Sequence, residues 1–117
     1  MADAAVVIWG EVLWDRFPGR RALAALAELV DTGLCQVDPE RATGEVGISL
    51  VDGEPRYKLH PGRAWERIAC TPAVEDALAD ASVLVYGTLS QRDPAGLDGW
   101  RAAVAAAPAA RLRACDP

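Results

Sequence analysis

The residues able to do chemistry in this chain are few, and the best placed is a carboxylate. Asp15 follows an apolar run, Ala4-Ala5-Val6-Val7-Ile8-Trp9, a break at Gly10-Glu11, and a second short run, Val12-Leu13-Trp14. It precedes Arg16-Phe17-Pro18-Gly19. A carboxylate set where a buried strand runs out is how open α/β sheets present ligand-binding groups. The plainer alternative is an Asp that caps a turn ahead of Pro-Gly, and spacing alone favours that alternative. Glu11, Asp15 and the lone His60 together contain the group types a hydrolase needs, but a single His at a strand end is more often structural or solvated. Cys35, Cys70 and Cys115 are odd in number and have no C-x-x-C spacing, which argues against both a zinc site and a disulfide framework. They read as buried, reduced thiols of a cytoplasmic protein.

The totals narrow the function classes. A chain of 117 residues with 51% hydrophobic residues is long enough for one domain with a real core, and its mean hydropathy of +0.06 is that of a globular protein. The net charge of −5 and the absence of a basic block argue against nucleic acid as the main partner. No apolar run reaches bilayer-spanning length, and Met1-Ala2-Asp3 lacks the basic start of a signal peptide.

The elements that position Asp15 follow from hydrophobic periodicity. Residues 4–9 read as a strand buried on both faces. Beyond Gly19, Leu23, Leu26 and Val30 recur at helical spacing, although Arg20-Arg21 in the first turn oppose the helix dipole. Asp31-Thr32-Gly33 ends that helix, and Leu34 to Val37 forms a candidate short strand. From Gly44 to His60 the period becomes two: Val46, Ile48 and Leu50 face one way, Glu45, Gly47 and Ser49 the other. Asp52-Gly53 is the hairpin turn, with Tyr57 and Leu59 on the return strand. One face of such a pair must be covered by a ligand or another chain. Trp65 and Ile68 lie in a short irregular or single-turn segment. Thr71-Pro72 and Asp93-Pro94 open two helices, the first with Val74 and Leu78 as its apolar stripe, the second with Leu97, Trp100 and Val104. Ser82 to Tyr86 and Arg111 to Cys115 read as further parallel strands. Trp9, Trp14 and Trp100 are assigned to the core, while Trp65 is a candidate to lie over a ligand. Helices alternating with buried strands specify an α/β fold with an inserted hairpin.

Several stretches, taken in order, resemble the PfkB, or ribokinase-like, carbohydrate kinase family, most closely its fructokinase branch. They are GEVLWDRFPG at 10–19, DTGLCQVDPERATGEVGISLVDGEPRY at 31–57, AWERIACTP at 64–72, ADASVLVYGTLSQRDP at 79–94, and the final RLRACDP. The resemblance implies a partial ribokinase-like (Rossmann-like) parallel sheet with flanking helices and a β-hairpin lid. On this reading residues 1–117 form a single incomplete domain with the lid at about 44–60. It also implies that Asp15, five residues after Gly10, binds sugar hydroxyls, which reverses the preference for a turn cap. An ionised carboxylate accepting sugar hydroxyls makes charge-assisted hydrogen bonds. Gln91 and Arg92, in the loop after the strand at 83–86, are weaker sugar-binding candidates. For Arg92 the alternative is a solvated cation near a helix N-cap.

Two parts of the family pattern are missing. The Gly-Gly signature and its following helix do not appear after Gly19, as though a few tens of residues were absent. The family's Asp-x-Asn-x-Arg continuation and its later G-A-G-D motif have no counterpart after Asp116-Pro117. That motif supplies the catalytic base and the anion hole, with the pocket for ATP and Mg2+ beside it. The expectation is therefore a fragment of an ATP-dependent, fructose-like sugar kinase that keeps part of the sugar site and lid, has no catalytic residue of its own, and shows no kinase activity alone. The alternative is a non-catalytic sugar-binding or dimerisation module. The expected partners are a ketohexose-like sugar, and either a second copy through the lid or a missing C-terminal half. Incomplete neighbours should leave sheet edges and apolar faces uncovered.

Overall fold

A computed structural model of the chain describes residues 5–11, 13–17, 20–23 and 31–116, with the backbone alone described at 5, 13–17 and 20–23. Along the chain run β1 (Ala5–Trp9), β2 (Leu13–Phe17), β3 (Arg20–Leu23), β4 (Gly44–Val51), β5 (Glu54–Leu59), α1 (Pro72–Ala79), β6 (Ala81–Gly87), α2 (Pro94–Ala105) and β7 (Leu112–Asp116). Contacts divide them into two compact units, Met1–Gly10 with Glu66–Pro117, and Glu11–Trp65.

The first unit is a three-stranded parallel sheet in the order β1-β6-β7. Both helices begin where the sequence places their caps. The Val74 amide donates to Thr71 Oγ1 at 3.4 Å, and the Ala95 amide donates to Asp93 Oδ1 at 2.9 Å, each satisfying an amide that the first helical turn leaves orphaned. Trp9, Leu84, Val74, Leu78, Ala103 and Ala107 form the core, with Val7, Tyr86 and Trp100 packed against it. Leu78 and Leu84 are fully enclosed, each contributing about 1.5–3 kcal/mol by burial. The Tyr86 and Trp100 rings meet tilted, their centroids 5.3 Å apart.

The expectation that β1 is buried on both faces is corrected. Trp9 is buried, but Val6 and Ile8 are 56% and 58% exposed. Register puts Val6 beside Val83 and Ile8 beside Val85, and Leu112 of β7, also exposed, beside Val83. These residues share the face turned away from the core, and among the described residues of this unit no layer covers it. The packing of α2 differs too. Its buried line is Gly96, Gly99 and Ala103, while Leu97, Trp100 and Val104 flank it half-buried. A Cβ at Gly96 would overlap the Ser90 carbonyl oxygen, and one at Gly99 would overlap that of Ile68. Glycine at these two positions lets the backbone of neighbouring segments lie directly against the helix.

The second unit is a four-stranded sheet in the order β3-β2-β4-β5. Strands β4 and β5 form the expected hairpin, paired from Val46↔Leu59 to Val51↔Glu54. Its turn residues, Asp52 and Gly53, have φ of 52° and 78°, the positive pair that a two-residue turn matching strand twist requires. Strand β2 runs parallel to β4 and antiparallel to β3. The helix expected after Gly19 is corrected at its start, because Arg20–Leu23 is a strand. A neighbouring strand offers backbone pairing that outweighs the helix preference that Arg, Ala and Leu share. The remainder of that expected helix, with Leu26 and Val30, lies outside the described residues, as does the side chain of Trp14. Leu34 to Val37 is irregular, not a strand, and Val37 is almost fully exposed. Trp65 sits in a single 3-10 turn, Ala64–Arg67, and is buried. The Ala64 amide ties that turn to the Ala42 carbonyl at 2.9 Å. The thiols are free but not buried: Cys35 and Cys115 are exposed and Cys70 is half-buried.

Candidate functional site

Asp15 occupies the middle of β2, with strands on both sides. This corrects the expectation of a carboxylate at the end of the first parallel strand: the chain leaves β1 at Trp9 and enters a different sheet before reaching it. Its register neighbours are Ala22 on β3 and Val46 on β4, and Val46 pairs in turn with Leu59 on β5. Along β4 and β5 the same face continues through the Ile48–Tyr57 and Leu50–Pro55 pairs. The row Ala22, Asp15, Val46, Leu59 therefore places one acidic residue among apolar ones, and the next row of the same face pairs Phe17 with Arg20. Leu50 and Tyr57, toward the hairpin tip, are 71% and 68% exposed, so this surface is open at that end.

Gln91 and Arg92 belong to the other unit, in and just after the 3-10 turn Leu89–Gln91 that joins β6 to α2. The Gln91 side-chain amide donates to the Gly87 carbonyl at 3.0 Å, and its backbone amide donates to Thr88 O at 3.1 Å. Gln91 thus braces the loop leaving β6. Arg92 is exposed, and its backbone amide donates to Leu89 O at 3.3 Å. The residue before them, Ser90, is 1% exposed, and its Oγ has no hydrogen-bond partner among the described residues. No feature of the sequence singled out Ser90.

Glu11 lies between β1 and β2, and His60 follows β5, both half-buried. Among the described residues, no group of three or more His, Cys, Asp or Glu is placed to hold a metal ion. Cys70, packed against the core, has its thiol pKa raised by burial and, less strongly, by the Glu75 carboxylate. Thiolate chemistry at neutral pH is disfavoured there.

The N termini of α1 and α2 do not fit a phosphate. Thr71 Oγ1 fills the first, and the Asp93 carboxylate fills the second, placing negative charge where a phosphate would have to sit. No phosphoryl-transfer step is assigned to these residues. No helix among the described residues is long and apolar enough to cross a membrane.

No protein-family model and no curated protein matches the chain. Among solved structures, an uncharacterized sugar kinase from Pyrococcus horikoshii matches it with a TM-score of 0.78 at 14% identity, over 95% of this chain and 52% of that one. The chain thus spans about half the length of that kinase. At this identity the likeness is one of fold. The three-stranded parallel sheet with its helices, and the separate sheet carrying an antiparallel hairpin, give this chain the fold of part of a sugar kinase.

Proposed function

We infer that the chain is the sugar-binding portion of an ATP-dependent carbohydrate kinase of the PfkB (ribokinase-like) family, fructokinase branch. Asp15 accepts hydroxyls of a ketohexose-like sugar, and the hairpin at about 44–60 acts as the lid. The observation that carries this reading is the position of Asp15: a single carboxylate in register with the hairpin strand, in a cross-strand row whose other members, Ala22, Val46 and Leu59, are apolar. Apolar residues around one charged acceptor suit a sugar, whose C–H faces pack on apolar groups while its hydroxyls donate. Gln91 and Arg92 are secondary candidates for sugar contact. The Gln91 bond to Gly87 supports a positioning part for that residue.

No G-A-G-D motif occurs in these 117 residues, and the chain by itself is proposed to assemble neither the catalytic base and anion hole nor the site for ATP and Mg2+. The chain alone is therefore proposed to be inactive as a kinase, and cytoplasmic, with neither nucleic acid nor membrane as a partner. A coupled assay with fructose, related hexoses and Mg-ATP should give no turnover above a protein-free blank. Turnover that follows the purified protein through chromatography would overturn this proposal.

A second reading, a non-catalytic sugar-binding or dimerisation module, is favoured by one observation: Leu50 and Tyr57 present exposed apolar surface on the hairpin. On that reading the lid pairs with a second copy, or the chain associates with a separate C-terminal half. Light scattering with and without fructose separates the two: a monomer unaffected by sugar argues against the module.

A further inference from the structure

The parallel sheet of the first unit has one covered face and one bare one. Val7, Trp9, Leu84 and Tyr86 face the core, where Val74 and Leu78 of α1 and Ala103 and Ala107 of α2 pack, so both helices lie on the same side. The other face is built from two cross-strand rows, Val6 with Val83 and Leu112, and Ile8 with Val85 and Ala114. All of these residues are apolar. Val6, Ile8 and Leu112 are exposed, and the other three are half-buried. The charged residue of this face, Asp116, stands one row further on beside Gly87, at the carboxyl end of the strands. A contiguous apolar patch marks an interaction surface. All-parallel sheets, moreover, occur almost only with helices on both faces.

Topology narrows what can cover it. Each step of the order β1-β6-β7 moves the same way across the sheet, and right-handed crossovers then put every connecting helix on one side, where α1 and α2 stand. Further strands beyond β7 would add helices to that side only. A helix reaches the bare face through a right-handed crossover stepping the opposite way, onto the outer edge of β1. That edge pairs with no strand among the described residues. About half of the sugar kinase whose fold this chain shares has no counterpart in it, so further strand and helix units are what the fold lacks. A second copy is the poorer occupant. Laid face to face it covers roughly 14 Å by 17 Å of sheet, against about 800 Å² per partner in a stable dimer. A strand with its helix covers the same face and adds backbone hydrogen bonds along β1.

We propose that the bare face and the free edge of β1 dock a second polypeptide, which supplies a parallel strand beside β1 and an amphipathic helix whose apolar stripe covers Val6, Ile8, Val83 and Val85. The two rows carry no charge, so this contact is insensitive to salt, unlike one built on ion pairs. It is distinct from the hairpin surface at Leu50 and Tyr57. It rests on the fold likeness and not on the sugar reading: loss of sugar binding in Asp15→Asn leaves it standing, and its own failure leaves the Asp15 site untouched.

The test titrates the full chain with a synthetic helix–loop–strand peptide of about 25 residues, its helix striped with Leu and Ala and its strand rich in Val and Ile. A scrambled peptide of the same composition is the control, and hydrogen exchange read by mass spectrometry is the measurement. One-to-one binding is expected, with exchange across Val6–Trp9 slowed about tenfold and the affinity unchanged between low and high salt. Ile8→Lys combined with Leu112→Lys should weaken binding at least about tenfold. That double variant should melt with wild type, because both side chains face solvent in the free chain. Equal binding of the scrambled peptide, or no binding of either, would overturn the proposal, as would full binding by the double variant. A double variant that unfolds would show that the face is covered in the free chain, which also overturns it. So would light scattering that finds a wild-type dimer made monomeric by the two lysines, since the occupant is then a second copy.

Discussion

Replacing Gly99 by alanine tests whether α2 lies backbone-to-backbone against the segment before α1. A Cβ at residue 99 would overlap the Ile68 carbonyl oxygen and stand 3.2 Å from its carbonyl carbon and 3.4 Å from the Ala69 Cα. At Gly96, one helical turn earlier, it would overlap the Ser90 carbonyl oxygen and lie 2.6 Å from that of Glu66. Every obstructing atom is backbone, so no rotamer change relieves the overlap and the segments must separate. Two effects compete. Alanine gains about 1 kcal/mol over glycine inside a helix. Overpacking costs about 1–3 kcal/mol, and an unyielding backbone neighbour places this case at the upper end. The expected net loss is about 1–2 kcal/mol, and at roughly 4–8 °C per kcal/mol for a unit of this size the melting temperature falls by about 5–15 °C. Urea unfolding followed by circular dichroism measures it. Gly47→Ala serves as the control, since its Cβ makes only ordinary contacts and should leave stability unchanged or raised. If Gly99→Ala is as stable as wild type or more so, helix propensity has won and the close packing of α2 is refuted.

Three further outcomes are expected. Alkylation mapped by mass spectrometry at pH 8 should modify the exposed Cys35 and Cys115 first and Cys70 last, because Cys70 is half-buried and burial, then Glu75, raise its thiol pKa; equal rates at all three would contradict this. Asp93→Ala should lower stability by about 1 kcal/mol in urea unfolding through loss of its cap on α2, with Thr71→Ala losing less because its bond is longer, 3.4 Å against 2.9 Å. Leu50→Lys combined with Tyr57→Lys should abolish any concentration-dependent self-association seen by light scattering, and association unchanged in the double variant would remove the hairpin as its surface.

What could be read from the sequence was whatever local chemistry decides. Thr71-Pro72 and Asp93-Pro94 start their helices because the cap bonds span only two or three residues. Asp52-Gly53 fixes the hairpin because its positive φ angles need those residue types. The misreadings arose where distant partners decide. Arg20–Leu23 has Ala and Leu at a spacing that suits a helix, but pairing with β2 makes it a strand. Val6 and Ile8 look like interior residues, yet their exposure depends on whether another layer covers the sheet, which no local pattern reports. Asp15 was identified by its residue type and its distance from Gly10, while its place within a second sheet, beside Val46, was not legible.

The central claim is that Asp15 holds sugar hydroxyls beside the hairpin. Saturation-transfer NMR of the 117-residue chain with fructose, glucose and ribose detects even millimolar binding and tests it directly. Transfer to fructose is expected in the wild type and is lost in Asp15→Asn while the amide spectrum of the variant stays dispersed. No transfer to any sugar from the folded wild type, or equal transfer from Asp15→Asn, would contradict it.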